Sequence, residues 1–156
     1  MSLLRDERTI ALGEVIAACR QAAEVCATAA DAAEHEAVAA ALGELAGDRE
    51  RAARQLHDEA ARQLGETPAD GVPEERTLFE KAATRMTGLI AGSADTGLLD
   101  RCRDQEDAIV AAAEAALEHF PDGDIRERLV DLHNDCTLRI GRIMEMERAG
   151  AAGPKG

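Results

Sequence analysis

The residues best suited to chemistry are Cys102 and Glu106, a thiol and a carboxylate four positions apart in the stretch from Leu98 to Glu118. Apolar residues recur through this stretch at helical spacing, which predicts one amphipathic helix with both residues at its apolar edge. Side chains four residues apart share a helix face, so the two groups could act at one place. The simpler interpretation is structural: cysteine is among the most buried residue types, and a carboxylate at a helix edge more often pairs with an arginine than binds a ligand.

Residues of two further predicted helices could complete a metal site around this pair in the core of a helical bundle. Thiolate, carboxylate and imidazole ligands together suit zinc or copper better than iron storage. All four cysteines also lie on apolar stripes, as packing without a metal predicts, so we expect no cofactor as the simpler outcome. The candidate ligands of a bound metal are Glu24, Cys26, Cys102, Glu106, His133 and Cys136.

Other catalytic patterns do not occur in the sequence. A di-iron ferritin site needs Glu-x-x-His on two helices, and no histidine here has a glutamate three residues before it. No Cys-x-x-Cys pair, phosphate-binding glycine loop or nucleophile elbow is present either. These observations favour a non-enzymatic protein over an enzyme.

The composition predicts an all-α protein. Of the 156 residues, 46% are hydrophobic, but Phe79 and Phe120 are the only aromatic ones and alanine dominates the rest. Alanine is the best helix former and lets helices approach closely, whereas the residue types enriched in strands are mostly missing. A chain of this length is most simply one domain, which we place at residues 1–148, followed by a flexible tail at 149–156.

The charge restricts the partners. The net charge is −13, from 31 acidic and 18 basic residues, and it repels phosphate backbones and anionic lipid headgroups. We therefore expect neither nucleic acid nor membrane as a partner. Charge precedes any apolar run long enough for a signal peptide, and every later apolar stretch is interrupted by charge, so we expect a cytoplasmic protein with reduced cysteines.

Apolar stripes predict four long helices with a shorter one between the second and the third. The stripe of the first helix includes Leu12 and Ile16, and that of the last includes Leu129. The stripe of the second helix includes Leu42, Ala46, Ala53, Leu56 and Ala60, and the charged run at residues 48–51 is interpreted as a solvated face. The break before this helix contains neither glycine nor proline, which leaves Gly43 or Gly47 as alternative break points. The predicted helices run from Leu4 to Ala33, from Glu36 to Leu64, from Glu74 to Ile90, from near Gly97 to Glu118, and from a capping box at Asp124 onwards.

About thirty residues therefore separate the second long helix from the third, and the short helix among them is roughly 25 Å long. Two antiparallel hairpins joined by such a crossover have the ferritin-like connectivity. The chain also resembles a bacterial ferritin-like four-helix-bundle family of unknown function, through the sequence RQLGETP at residues 62–68 and LDRCRDQED at residues 99–107. The resemblance covers about residues 8–147 and implies a ferritin-like fold without an activity.

Three functions remain open on this basis. The first is a non-enzymatic bundle that acts as a stress-associated or partner-binding module. The second is a metal-binding protein with the mixed site above, in which zinc, copper or iron could be bound, and the third is a degenerate di-iron oxidoreductase. We also expect a homo-oligomer, because the core has few large side chains; the predicted contact residues are Val72, Leu78, Phe79 and Met86.

Overall fold

The computed structural model describes residues 6–65, 68 and 94–151, and these residues form four long helices without a strand. The helices are α1 (Glu7–Ala32), α2 (Glu36–Leu64), α3 (Ala94–Leu117) and α4 (Asp124–Ala151). The all-α four-helix prediction is confirmed. The predicted short helix from Glu74 to Ile90 lies outside the described residues.

The boundaries of α2 agree with the sequence at both ends. Its C-terminus is closed by Gly65, whose φ of 70° lies in the left-handed region that glycine adopts without strain. The break before it falls at Ala33–His35, so the alternative break points Gly43 and Gly47 lie inside the helix.

The other helices begin at different residues from those predicted. Helix α1 begins at Glu7 because the Asp6 carboxylate accepts a hydrogen bond from the backbone N of Arg8, at 2.8 Å, and so caps it. Helix α3 begins at Ala94, three residues before the predicted start. Asp124 is the first residue of α4 and not its cap, since the backbone N of Glu127 donates to the carbonyl of Gly123. At its other end α4 includes residues 149–151, which the sequence placed in the tail.

The four helices form two hairpins, α1 with α2 and α3 with α4. Helix α1 packs against both α2 and α3, whereas α2 and α4 make fewer contacts with each other. At one end of the bundle, Asp95 of α3 contacts His35 between α1 and α2. At the other end, Gln63 of α2 contacts Asp124 of α4. Helices α2 and α3 are therefore parallel, and the chain leaves α2 at the opposite end from where it enters α3, as the crossover topology requires.

The core consists of two clusters, one towards each end of the bundle, in which all side chains except that of Phe120 are small or aliphatic. The predicted stripes supply most of it: Leu12, Ile16, Leu56 and Leu129 lie in one cluster and Leu42 lies in the other. Alanines are fully buried on all of α1, α2 and α3, so these helices approach closely. Within the described residues, no helix has the length and apolarity needed to cross a membrane.

Candidate functional site

An arginine lies in the core where the sequence predicted a solvated face. Arg49 is only 2% exposed, so the interpretation of residues 48–51 is wrong for this residue. The signal was present in the sequence, because Arg49 follows Ala46 by three residues and precedes Ala53 by four. It therefore occupies a position on the apolar stripe of α2, facing the other helices.

The partner of Arg49 is the carboxylate of Glu106 on α3. Arg49 Nε donates to Glu106 Oε2 at 2.9 Å, and Arg49 Nη2 donates to Oε1 at 2.7 Å. This is the two-point geometry in which a guanidinium binds a carboxylate most strongly, and Glu106 is fully buried. The expectation that Glu106 pairs with an arginine is confirmed. A third hydrogen bond connects Arg49 to α4: its Nη2 also donates to Oδ2 of Asp135, at 3.0 Å.

All four cysteines are free, fully buried thiols. The pKa values of Cys19, Cys26 and Cys136 are raised, and the charges of Arg49 and Glu106 contribute to each shift. Burial raises the pKa of Cys19 to about 12, an effect that Arg49 opposes and Glu106 reinforces. The pKa of Cys26 is raised by its hydrogen bond with Cys102 and by burial. Burial and the nearby Glu106 likewise raise the pKa of Cys136. These thiols are held in the protonated, unreactive form.

The structure brings together some of the six predicted metal ligands. Cys26 contacts Cys102, and the Cys136 thiol hydrogen-bonds to Glu106. Glu24 is only half-buried. His133 contacts a residue that is not among the six, since its Nε2 lies 2.9 Å from Oε2 of Glu114.

Metal binding would require this arrangement to change. Across residues 6–65, 68 and 94–151, no three His, Cys, Asp or Glu side chains are placed to share a metal ion. Both oxygens of Glu106 already accept hydrogen bonds from Arg49. A cation bound there would have to displace a guanidinium.

Polar side chains connect α2 to α4 along a surface that we call the α2–α4 seam. From the middle of α2 to its C-terminus, the seam contains an ion pair between Asp48 and Arg139 and four further side-chain contacts. These are Arg49–Asp135 at 3.0 Å, Gln55–Arg128 at 3.5 Å, Glu59–Arg128 at 3.3 Å and Gln63–Asp124 at 3.2 Å.

Two cavities open along the seam. The first, of about 240 Å³, has Arg49 and Asp135 in its wall. The second, of about 590 Å³, lies towards the end of α2 and is lined by Glu59, Arg62, Gln63, Asp124, Glu127, Arg128 and Asp131. Arg128 and Asp131 line both cavities, so the two are adjacent. Sequence patterns did not predict this cleft, because it depends on how α2 and α4 are juxtaposed.

Comparison with known proteins identifies a family but no activity. No curated protein matches the chain, and no solved structure matches it. One family model matches residues 8–119, a shorter region than the resemblance predicted, and the match does not test the ferritin-like assignment. The matched region covers α2, α3 and all but the first residue of α1, with both Arg49 and Glu106, and the chain therefore belongs to the family described as domain of unknown function DUF2383.

Proposed function

We propose that this chain is a non-enzymatic binding module that recognises a partner with basic side chains at the α2–α4 seam. The observation that carries the proposal is the open polar cavity of about 590 Å³ between the two helices. It is large enough for several side chains of a partner, and concave surfaces are where proteins usually bind ligands. Cys102 and Glu106, the side chains most capable of chemistry, are fully buried and out of reach of a substrate.

The charge of the cavity favours a basic partner. Four carboxylates line it against two guanidinium groups. Two of these carboxylates, Glu127 and Asp131, are exposed, and in the described part of the chain neither forms an ion pair. The net charge of −13 also attracts a basic partner over a longer range and accelerates association.

The test is a binding titration of the full chain with a fluorescent lysine- and arginine-rich peptide, read by anisotropy. We expect saturable binding that weakens with salt, and no binding of a glutamate-rich peptide of equal length. The double variant Glu127→Gln/Asp131→Asn should bind roughly tenfold more weakly, because it removes two carboxylates from the seam.

A matched control distinguishes recognition at the seam from attraction to an acidic surface in general. Asp107→Asn/Glu118→Gln removes two exposed charges, one on α3 and one directly after its C-terminus, outside the residues that line either seam cavity, and should retain wild-type affinity. Equal weakening by both double variants would reject the seam as the binding surface. Absence of peptide binding would reject the proposal.

The predicted metal site is the second candidate function, favoured by the contacts of Cys26 with Cys102 and of Cys136 with Glu106. Metal analysis of protein purified without chelator or affinity tag tests it. Near-stoichiometric zinc or copper, lost in Cys102→Ser but retained in Cys19→Ser, would support this site and displace our first proposal. Stoichiometric iron would support the di-iron alternative.

A further inference from the structure

Two arginines share the carboxylate of Asp135 at the centre of the α2–α4 seam. Its Oδ2 accepts a hydrogen bond from Arg49 at 3.0 Å, and its Oδ1 lies 3.7 Å from Nε of Arg139. Arg139 also pairs with Asp48 across the seam. The carboxylate of Asp135 is therefore a junction between the buried arginine of α2 and a more exposed ion pair.

The two carboxylates that bind Arg49 hold it unequally. Glu106 is fully buried and accepts two hydrogen bonds from Arg49, whereas the side chain of Asp135 is 38% exposed and accepts one. Water and salt compete effectively for an ion pair that is partly exposed, and much less for a buried one. The contact between Arg49 and Asp135 is the one that breaks more easily.

We infer that Arg49 and Asp135 form a latch whose release widens the 240 Å³ cavity of the seam and exposes Arg49 and Cys136. When the contact breaks, Arg49 remains bound to Glu106, and Asp135 remains beside Arg139. Neither charge is left buried without a partner, which is the condition that would otherwise make such an opening costly. Cys136 directly follows Asp135 in α4, is fully buried, and lies close enough to Arg49 and Glu106 to sense both charges, so its thiol is shielded from solvent beside the latch.

The latch would regulate the binding surface of the proposed function, and in that respect the inference rests on that proposal. A basic side chain of a partner competes with Arg49 for Asp135, so binding and opening favour each other. The opening itself is a property of the free protein and can be measured without a partner.

The test is the labelling rate of individual thiols in the full chain by N-ethylmaleimide at constant pH, followed by mass spectrometry of the digested protein. This reagent is neutral, so salt does not alter its approach to an acidic surface. Between about 0.1 M and about 1 M KCl the Debye length falls from about 10 Å to about 3 Å. We expect labelling of Cys136 to accelerate roughly three- to fivefold, the effect of losing one partly exposed ion pair.

Variants and internal controls separate the latch from general loosening. Asp135→Asn should label fast at both salt concentrations, whereas Glu145→Gln, which changes an exposed carboxylate of α4 that lines neither seam cavity, should behave as the wild type. Cys26 and Cys102 belong to the other core cluster and should keep their rates. The inference is overturned if neither salt nor Asp135→Asn changes the labelling rate of Cys136. It is also overturned if the labelling of all four thiols accelerates together, as in global unfolding.

Adding the basic peptide distinguishes the two proposals. If the peptide does not bind while salt still accelerates Cys136, the partner proposal fails and the latch stands. If the peptide binds without changing the Cys136 rate, the coupling between binding and opening is overturned.

Discussion

At the residue scale, the distinguishing feature of this alanine-rich core is the buried ion pair between Arg49 and Glu106. Removing Arg49 and Glu106 from water costs several kcal/mol per ion, which their two hydrogen bonds and mutual attraction offset only when both partners are present. Such a pair contributes little net stability. It does fix the relative position of α2 and α3, because displacement of either helix would separate buried charges.

Removal of one partner should therefore be far more damaging than removal of both. We expect Glu106→Ala to lower the free energy of unfolding by about 3–5 kcal/mol, since it leaves Arg49 buried with a single half-exposed carboxylate. The double variant Arg49→Met/Glu106→Leu should lose much less. Urea denaturation followed by circular dichroism measures both, and Glu114→Ala, which breaks an exposed pair with His133, should stay within about 1 kcal/mol of the wild type. A double variant as unstable as Glu106→Ala would contradict this explanation.

The cysteines should behave as packing residues. Replacing Cys102 with alanine removes a buried sulfur and leaves a small void, so we expect a loss of about 1–2 kcal/mol in urea denaturation and no change in metal content. Burial and the raised pKa of about 12 for Cys19 also predict that native protein is alkylated slowly at low salt and rapidly after unfolding. Fast native alkylation of Cys102 would instead indicate an accessible, reactive site.

At the element scale, the turn between α1 and α2 depends on a residue of α3. The Asp95 carboxylate accepts hydrogen bonds from the backbone N of Glu34 at 2.8 Å and from that of His35 at 3.0 Å, and it lies 2.7 Å from the His35 Nδ1 atom. His35 is the N-cap residue of α2 but makes no capping hydrogen bond with its own side chain. Asp95 thus satisfies the backbone at a turn that contains neither glycine nor proline.

This contact predicts a pH-dependent loss of stability. Burial alone would raise the pKa of Asp95, but hydrogen bonds from Glu34 and His35 outweigh it and hold the pKa below its ordinary value of 3.8. The stabilisation is therefore complete above that value and is lost as the pH falls through the folded-state pKa. We expect Asp95→Ala to cost about 1–2 kcal/mol at neutral pH, and the difference from the wild type to shrink in acid. In urea denaturation at several pH values, Asp107→Ala on the exposed face of α3 should show neither effect.

At the scale of the whole molecule, the two hairpins meet both where α1 packs against α3 and along the α2–α4 seam, and the seam is polar and partly hollow. This asymmetry makes the α2–α4 side the natural place for binding and opening. The contact residues of the predicted homo-oligomer, Val72, Leu78, Phe79 and Met86, lie outside the described residues.

Self-association is tested by the mass in solution. We expect light scattering to give twice the monomer mass over a range of concentrations, because an alanine-rich core with few large side chains gains stability from a second copy. Leu138→Ser, which changes an exposed apolar residue of α4, should leave that mass unchanged. A monomer at every concentration would contradict the prediction, and a monomeric Leu138→Ser variant would move the contact to α4.

The sequence alone determined the helices and much of the core. Local periodicity and stop signals, which each segment carries by itself, predict the bounds of α2 and the burial of the cysteines. The same periodicity places four further residues in the core: Leu12, Ile16, Leu56 and Leu129. The same periodicity placed Glu106 at the edge of an apolar face, and residue chemistry indicated an arginine as its partner.

Tertiary structure alone decided which residues meet. Arg49 lies 57 positions from Glu106 and 86 from Asp135, and Asp95 lies 60 positions from His35. Helical periodicity specifies the face on which a residue lies, but not which helix that face contacts or at what height. The ion pair, the cap supplied by α3 and the polar seam all depend on that juxtaposition, which packing of the four helices fixes by burying their apolar stripes together.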